Sequence, residues 1–346
     1  MFNTSDITVV FQGDVANGGL GEHDGSFAFN VATTRKALPG ARIILSTWHD
    51  TVLSDDIDID QIVRSTDPGS LPGIKFISPA RNNINRQIIS TQNGLQAVKT
   101  KYALKLRTDS CLSSAKFLSY LERHFSNDNF NDRIMVCTYY TLDTKMFERI
   151  AFHISDWVQF GATEQLKKLW SVECMSLADA TYHETHPCPG YYNYFERQFR
   201  PRLAVEQYIW AHYANELGFA TPMLLVDRDK KVLQDFLAFV AQKLIVLEPW
   251  NIGIELKKYD GVKDSLYHKL NCLNYLDWLT LYEEYTPNIE TNKTLTGLKW
   301  KRQVIKKIWS VFFSLMSPIH RFLFKPELAS TRRWIKNVIF ASNFRR

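Results

Sequence analysis

The chain has 346 residues, more than one average domain, so a main domain with a smaller appendage is the starting expectation. Hydrophobic residues make up 45% and aromatic residues 13%, ample for a core, but no apolar run reaches the roughly eighteen residues of a spanning helix and no basic-then-apolar leader opens the chain, so a cytosolic protein is expected. The net charge of +6 is uneven: residues 299–346 hold 12 Lys or Arg against the single acid Glu327, which leaves the remainder acidic.

In chain order, Ile7–Gln12 reads as a buried strand closed by Gly13. The loop that follows, to about residue 24, contains Asn17-Gly18-Gly19-Leu20-Gly21. Its glycines lack the spacing of a dinucleotide fingerprint, so a plain loop is the better reading. Residues 27–38 suit a helix ended by Pro39-Gly40, and 41–48 a second strand. After Asp50, Asp55, Asp56, Asp58 and Asp60 comes a third short strand, Gln61–Ser65, and then Thr66-Asp67-Pro68-Gly69, in which Asp67 suits a turn cap. From residue 82, Ile84, Ile88, Leu95 and Val98 recur at helical steps, so one stripe faces a sheet while Asn85, Arg86 and Gln87 point elsewhere. Tyr102, Leu104 and Leu106 then alternate with Ala103 and Lys105 as a strand that breaks into Arg107-Thr108-Asp109-Ser110. The alternation of strands and helices predicts an α/β fold with a largely parallel sheet, whose ligands bind beyond the C-terminal strand ends.

Further on, the pattern predicts a helix over 113–125, a strand over 133–138 and an apolar run over 154–160 that carries Asp156. Residues 163–169 and 177–182 read as helical or loop-like. His183, His186 and Cys188 lie close together, but their spacing is not that of a helical zinc motif and Pro187 interrupts them. A helix with Glu206 in its first turn runs to Gly218, apolar residues recur over 233–247, residues 266–284 are helical in pattern, and 286–296 is the best linker. The five cysteines, Cys111, Cys137, Cys174, Cys188 and Cys272, form no CxxC pair and read as reduced thiols. The chain divides on these grounds into 1–225, a helical 226–297 and a basic tail, 298–346.

Several of these segments together carry a family resemblance: Phe11-Gln12-Gly13, the run around Leu38-Pro39-Gly40-Ala41, Asp67-Pro68-Gly69, Asn82 through Gln87, Lys105-Leu106-Arg107-Thr108-Asp109, and Ser155 through Gly161. From about residue 6 to 260 the chain resembles the WavE family of lipopolysaccharide-synthesis proteins. The resemblance implies a GT-A-like nucleotide-sugar-binding sheet with flanking helices, completed here by a helical C-terminal appendage. It also implies a glycosyltransferase that builds lipopolysaccharide core or related surface glycan. In such sheets the central strand normally ends in Asp-x-Asp; here Arg107 stands in the first position.

Transfer from a nucleotide sugar needs the leaving diphosphate stabilised and, with inversion, a carboxylate to take the acceptor's proton. Asp109 is the candidate ligand for Mg²⁺ or Mn²⁺, or Arg107 meets phosphate directly. Gln12, Asp67, Asn85 and Arg86 complete the candidate donor-binding set, while Glu206 and Asp156 are the two candidate bases. Each has an ordinary structural alternative: a cap for Asp109, an exposed helical arginine for Arg86, a first-turn carboxylate for Glu206, and a buried carboxylate bonded to backbone amides for Asp156.

The tail combines Val304, Ile305, Ile308, Trp309, Val311, Phe312, Leu315 and Met316 with Lys301, Arg302, Lys306 and Lys307. It reads as an interfacial helix on an anionic membrane, holding the enzyme peripherally at the inner membrane beside a lipid-linked acceptor, or as a helix packed on the main domain. An RNA-binding tail is the competing functional class. The large contiguous apolar residues argue against it, so no nucleic acid is expected. A degenerate, non-catalytic transferase is the third reading.

Overall fold

The computed structural model describes residues 2–15, 26–77, 80–125, 130–255, 265–286 and 293–323. The Asn17–Gly21 loop therefore lies outside the described residues. Seven strands form the main sheet: β1 (Ile7–Gln12), β2 (Arg42–Trp48), β3 (Gln61–Ser65), β4 (Tyr102–Arg107), β6 (Ile134–Cys137), β7 (Val158–Ala162) and β8 (Leu244–Leu247). Their order is β3-β2-β1-β4-β7-β6-β8. All neighbours run parallel except β7, which is antiparallel to both β4 and β6. A small ribbon of β5 (Cys111–Leu112) and β9 (Ile254–Glu255) stands apart. This is a mixed α/β sheet with helices packed on it, the architecture that the alternation of strands and helices implied.

Burial explains the strand sequences. Every residue of β1 is buried, because β1 is paired on both edges and covered on both faces, which a run of Ile, Val and Phe with only Thr8 and Gln12 polar tolerates. At the sheet edge β3 alternates accessible and covered residues instead. Pairing of Gln12 with Arg107 sets the register that brings the ends of β1 and β4 side by side.

Helix α1 (Phe27–Ala37) starts on Ser26, whose hydroxyl accepts the Phe29 N–H. It ends before Gly40, whose φ of +82° favours a residue without Cβ. Helix α2 (Ile84–Gln96) buries Ile84, Ile88 and Leu95, and it lies very close to the sheet at Gly94. A Cβ there would stand 2.6 Å from Val10 Cγ1 and 2.9 Å from Ser46 Cβ. Helices α3 (Lys116–His124), α4 (Thr163–Leu169) and α5 (Val205–Glu216) follow in the order that the pattern predicted.

The C-terminal part differs from the sequence reading in two respects. The apolar recurrence over 233–247 resolves into α6 (Lys230–Lys243) and β8, and β8 completes the main sheet beside β6. Residues 226–297 thus do not stand apart as a purely helical unit; a short buried Leu-Ile-Val-Leu strand cannot be told from the end of a helix by periodicity. The predicted helix over 266–284 is two, Leu266–Asn271 and α7 (Tyr275–Tyr285), because Asn274 restarts the chain with a reciprocal cap: its side chain accepts the Asp277 N–H while Asp277 accepts its own N–H.

The last described helix, α8 (Lys293–Leu323), docks with Lys299, Arg302 and Lys306 inward. Arg302 Nη2 donates to Asp277 at 2.9 Å, Lys306 reaches Asp277 at 2.8 Å and Asp143 at 2.6 Å, and Lys299 pairs with Glu283. Lys299 and Lys306 are buried, whereas Trp300, Ile308, Val311, Phe312 and Leu315 are exposed. This corrects the expectation that Arg302 and Lys306 point outward. Periodicity defines two faces of a helix, and here remote carboxylates decide which of them turns in.

Candidate functional site

The site is built at the C-terminal ends of β1 and β4. Beyond β1, the Asp14 carbonyl accepts the Thr108 hydroxyl at 2.6 Å, which ties the β1 end to the turn after β4. On one side of Asp14 opens a cleft of about 430 Å³ lined by Asp14, Trp48, Asp50, Thr51, Asp67 and Arg86 among others. Arg86 sits in the first turn of α2 and binds Asp67 through two parallel bonds, Nε to Oδ1 at 2.8 Å and Nη2 to Oδ2 at 2.5 Å. The Arg86 guanidinium holds the Asp67 carboxyl below its usual range, and Asp67 in turn raises Arg86. Asp67 also accepts the Gly69 N–H, so it serves as turn cap and ion-pair partner together.

On the other side, Arg107 and Asp109 repeat the arrangement, with Nε to Oδ1 at 2.9 Å and Nη2 to Oδ2 at 2.8 Å. Two guanidiniums therefore stand beside the β1 end, each oriented by a bidentate carboxylate, the geometry that also suits phosphate. Gln12 and Asn85 are placed differently. Gln12 is buried and accepts the Ser90 hydroxyl, while both ends of the Asn85 carboxamide bond the Met175 backbone. In this structure they position α2 and the loop that it touches.

Behind the Arg107–Asp109 pair lies a buried set of ionisable groups. Lys105, central in β4, is fully buried, with its ammonium donating to the Asp156 carbonyl and lying 5.1 Å from the Trp170 ring centre. Burial pulls its pKa down to about 8, and the Asp156 charge opposes this. Asp156 Oδ2 is 4.0 Å from the ammonium and meets no hydrogen-bond donor among the described residues. Glu206, in the first turn of α5, lies 3.3 Å from His153 Nε2 and keeps 23% of its side-chain surface accessible. Burial raises the Glu206 pKa, the nearby Asp156 charge adds to the rise, and His153 and Arg107 pull the other way. The two candidate bases thus belong to one electrostatic cluster.

His153 was missed by the sequence reading. Its Nδ1–H donates to the Tyr140 carbonyl at 2.8 Å, leaving Nε2 toward Glu206. Tyr140 (φ 63°) and Phe152 (φ 60°) are the two non-glycine residues with positive φ among the described residues, and both touch this histidine through a bond or the chain. Such backbone costs of order 1–3 kcal/mol per residue and clusters at sites of function. Gln207 stabilises the arrangement by donating to the carbonyls of Ala151 and Leu225 at 2.9 and 3.0 Å, which fixes the start of α5 against the His153 loop. A lone His between Phe152 and Ile154 carries no local signal; Lys105 in an otherwise apolar strand did carry one, since a buried cation requires a partner.

For a divalent cation the donor set is incomplete. Asp109 is engaged by Arg107, and among the described residues no three His, Cys, Asp or Glu side chains converge as a metal-binding group. The described residues alone do not complete a metal site.

The sequence model described as WavE lipopolysaccharide synthesis matches residues 7–312. No curated protein sequence matches the chain. Among solved structures it is similar to a cytidylyltransferase from Leptospira borgpetersenii serovar Hardjo-bovis, at 12% identity and TM-score 0.28 over 52% of this chain and 68% of the other. It is also similar to a glycosyltransferase involved in glycosylation of the major capsid of PBCV-1, at 13% identity and TM-score 0.27 over 52% and 71%. A third is an active-site mutant of LgtC, at 11% identity and TM-score 0.28 over 51% and 62%.

Proposed function

We propose that this chain, which belongs to the WavE lipopolysaccharide synthesis family, is a sugar transferase. It takes a glycosyl group from a nucleotide-sugar donor and places it on a lipid-linked acceptor, a lipopolysaccharide core or related surface glycan. The reaction runs at the cytoplasmic face of the inner membrane, with the protein held there peripherally. None of the described helices is long and apolar enough to cross a membrane.

The observation that carries this reading is the pair of carboxylate-oriented guanidiniums, Arg86 and Arg107, at the end of β1, with Glu206 behind them. The nucleoside enters the cleft of Asp14, Asp50 and Asp67, whose carboxylates accept from ribose hydroxyls and base N–H groups. Arg86 and Arg107 take the diphosphate. In an inverting transfer, the acceptor hydroxyl forms the new bond to the anomeric carbon and loses its proton to Glu206. The bond from that carbon to the phosphate oxygen breaks, and the nucleoside diphosphate leaves with the electron pair, its charge met by the guanidiniums. Glu206 suits the base better than Asp156 because part of its side chain reaches the surface while Asp156 is 2% exposed. Asp156 holds Lys105 behind the site, and His153 orients the Glu206 carboxylate.

Asp109 would be the one protein ligand for Mg²⁺ or Mn²⁺, the remaining positions falling to donor phosphate oxygens, and an ion so held would supply charge neutralisation at the diphosphate. A panel of nucleotide sugars, with and without Mn²⁺, tests the proposal through thermal stabilisation. A specific donor at a hundredfold excess over Kd adds about 2.7 kcal/mol of stability. Arg86→Gln should lose most of the shift. If no nucleotide sugar stabilises the protein, or Arg86→Gln binds as wild type, the donor site lies elsewhere.

A further inference from the structure

Helix α8 presents to solvent the face that a helix packed on a domain normally hides. Its inward contacts are ionic: Lys299, Arg302 and Lys306 are held by Glu283, Asp277 and Asp143, the Ser310 hydroxyl donates to the Lys145 carbonyl, and Phe313 packs on Phe147. At helical spacing Trp300, Val304, Ile308, Val311 and Leu315 then fall within roughly a quarter-turn on the opposite side, a stripe about 22 Å long. Ile308 is 62% and Leu315 71% exposed. Lys301 and Lys307, both exposed, border the stripe on its two flanks. A solvated helix would carry polar residues there, and a large exposed apolar stripe marks an interaction surface.

We infer that α8 is an inverted interfacial helix, docked on the enzyme through its charges so that its apolar stripe enters an anionic bilayer, with Lys301 and Lys307 at headgroup level. The inference deepens the proposed membrane-face reaction and rests on it for its purpose. The choice of occupant follows from charge. The flanking lysines, and a following sequence with further Lys and Arg against Glu327 alone, complement an anionic surface. Two copies meeting through this stripe would instead bring like charges together. A spanning helix is a different matter: α8 is interrupted by Lys299, Lys301, Arg302, Lys306 and Lys307, which rules out a membrane-crossing path for this stretch.

The full-length protein, without donor or acceptor, should co-sediment with vesicles of phosphatidylglycerol and phosphatidylethanolamine and much less with phosphatidylcholine. Ile308→Glu with Leu315→Glu should lower binding at least tenfold while far-UV circular dichroism and the thermal transition stay as in wild type, since both side chains are exposed. Lys301→Gln and Lys307→Gln should each weaken binding about fivefold on anionic vesicles. Wild type that does not sediment with anionic vesicles overturns the inference. So does a double-Glu variant that binds unchanged, or a wild-type dimer by analytical ultracentrifugation that the double-Glu variant dissociates. Because donor-induced stabilisation is read separately, wild type that is stabilised by a donor but does not sediment with anionic vesicles refutes the membrane surface alone, and wild type that sediments but is stabilised by no donor refutes the donor site alone.

Discussion

Beneath α8, the Asp277 carboxylate receives Arg302 and Lys306, Lys306 also reaches Asp143, and the two cations find backbone carbonyls for their remaining N–H groups. Behind the C-terminal end of β4, in the middle of the sheet, Glu206 and Asp156 lie near one another, Asp156 Oδ2 has no donor among the described residues, and Lys105 holds a backbone oxygen rather than a carboxylate. Both regions bury charge, yet their titration moves in opposite senses. Burial alone would raise Asp277, but Lys306 and Arg302 outweigh it and keep that carboxyl below its usual range. In the sheet cluster burial wins: Glu206 goes up and Lys105 comes down. Matched partners make a fastening, and mismatched ones leave a group poised to exchange a proton.

The contrast can be broken most sharply by exchanging one carboxylate in each region. Glu206→Gln should lower kcat by about 10²–10⁴-fold, the usual contribution of a general base, with the thermal transition kept. Asp156→Asn in the same assay should cost much less; a larger loss there would transfer the base to Asp156. Asp277→Ala should do the reverse, leaving Arg302 with backbone carbonyls but no carboxylate and Lys306 with Asp143 alone. A cost of about 3–5 kcal/mol is expected at the α8 interface, read as protease sensitivity of the tail, with donor binding unchanged.

A smaller effect separates binding from fastening within the site. Asp109→Asn keeps any capping capacity but loses the charge that orients Arg107, so turnover should fall by about tenfold to a hundredfold with little loss of stability. Full activity would remove Asp109 from the donor site.

The pH dependence sharpens the same distinction. Since the Glu206 pKa is raised, the acid limb of kcat/KM should lie above the ordinary glutamate value of about 4.3. His153→Gln removes a neighbour that lowers it, so the limb should move to still higher pH; no movement would reduce His153 to packing. For Asp277, whose folded pKa is depressed, docking is fully supported above the unfolded value of about 3.9 and is lost as pH falls through the folded value. Tail release by proteolysis should therefore appear only in acid.

The least effect concerns Lys105. Its folded pKa of about 8 lies below the unfolded value of about 10.4, so the unfolded chain binds more protons between them and stability should rise with pH across that window. Lys105→Met should flatten that rise. An unchanged slope would show that the lysine is better solvated than its burial indicates.

These differences also explain what could be read without coordinates. Strands β1 and β4 and helix α2 were legible because burial on both faces, or on one stripe, leaves a period in the residues themselves. Asp67, Arg86, Arg107, Asp109, Asp156 and Glu206 were named because each stands at the end of such an element. His153 was not, since its role depends on Tyr140 and Phe152 adopting unusual backbone and on Glu206 arriving from fifty residues away. The orientation of α8 was equally hidden: the carboxylates that turn its basic side inward belong to α7 and to the loop after β6.

The close seat of α2 on the sheet has its own consequence. With Gly94 touching Val10 and Ser46 near one end of the helix and Arg86 at the other, α2 behaves as a rod resting on a single thin spacer. A methyl group at position 94 has nowhere to go without lifting that end. The rod would then pivot, and the far tip, which carries the guanidinium to the nucleotide cleft, would swing by a comparable distance. Gly94→Ala is thus a gauge of how finely the donor cleft is ruled, adjustable by one carbon atom placed far from any reacting bond.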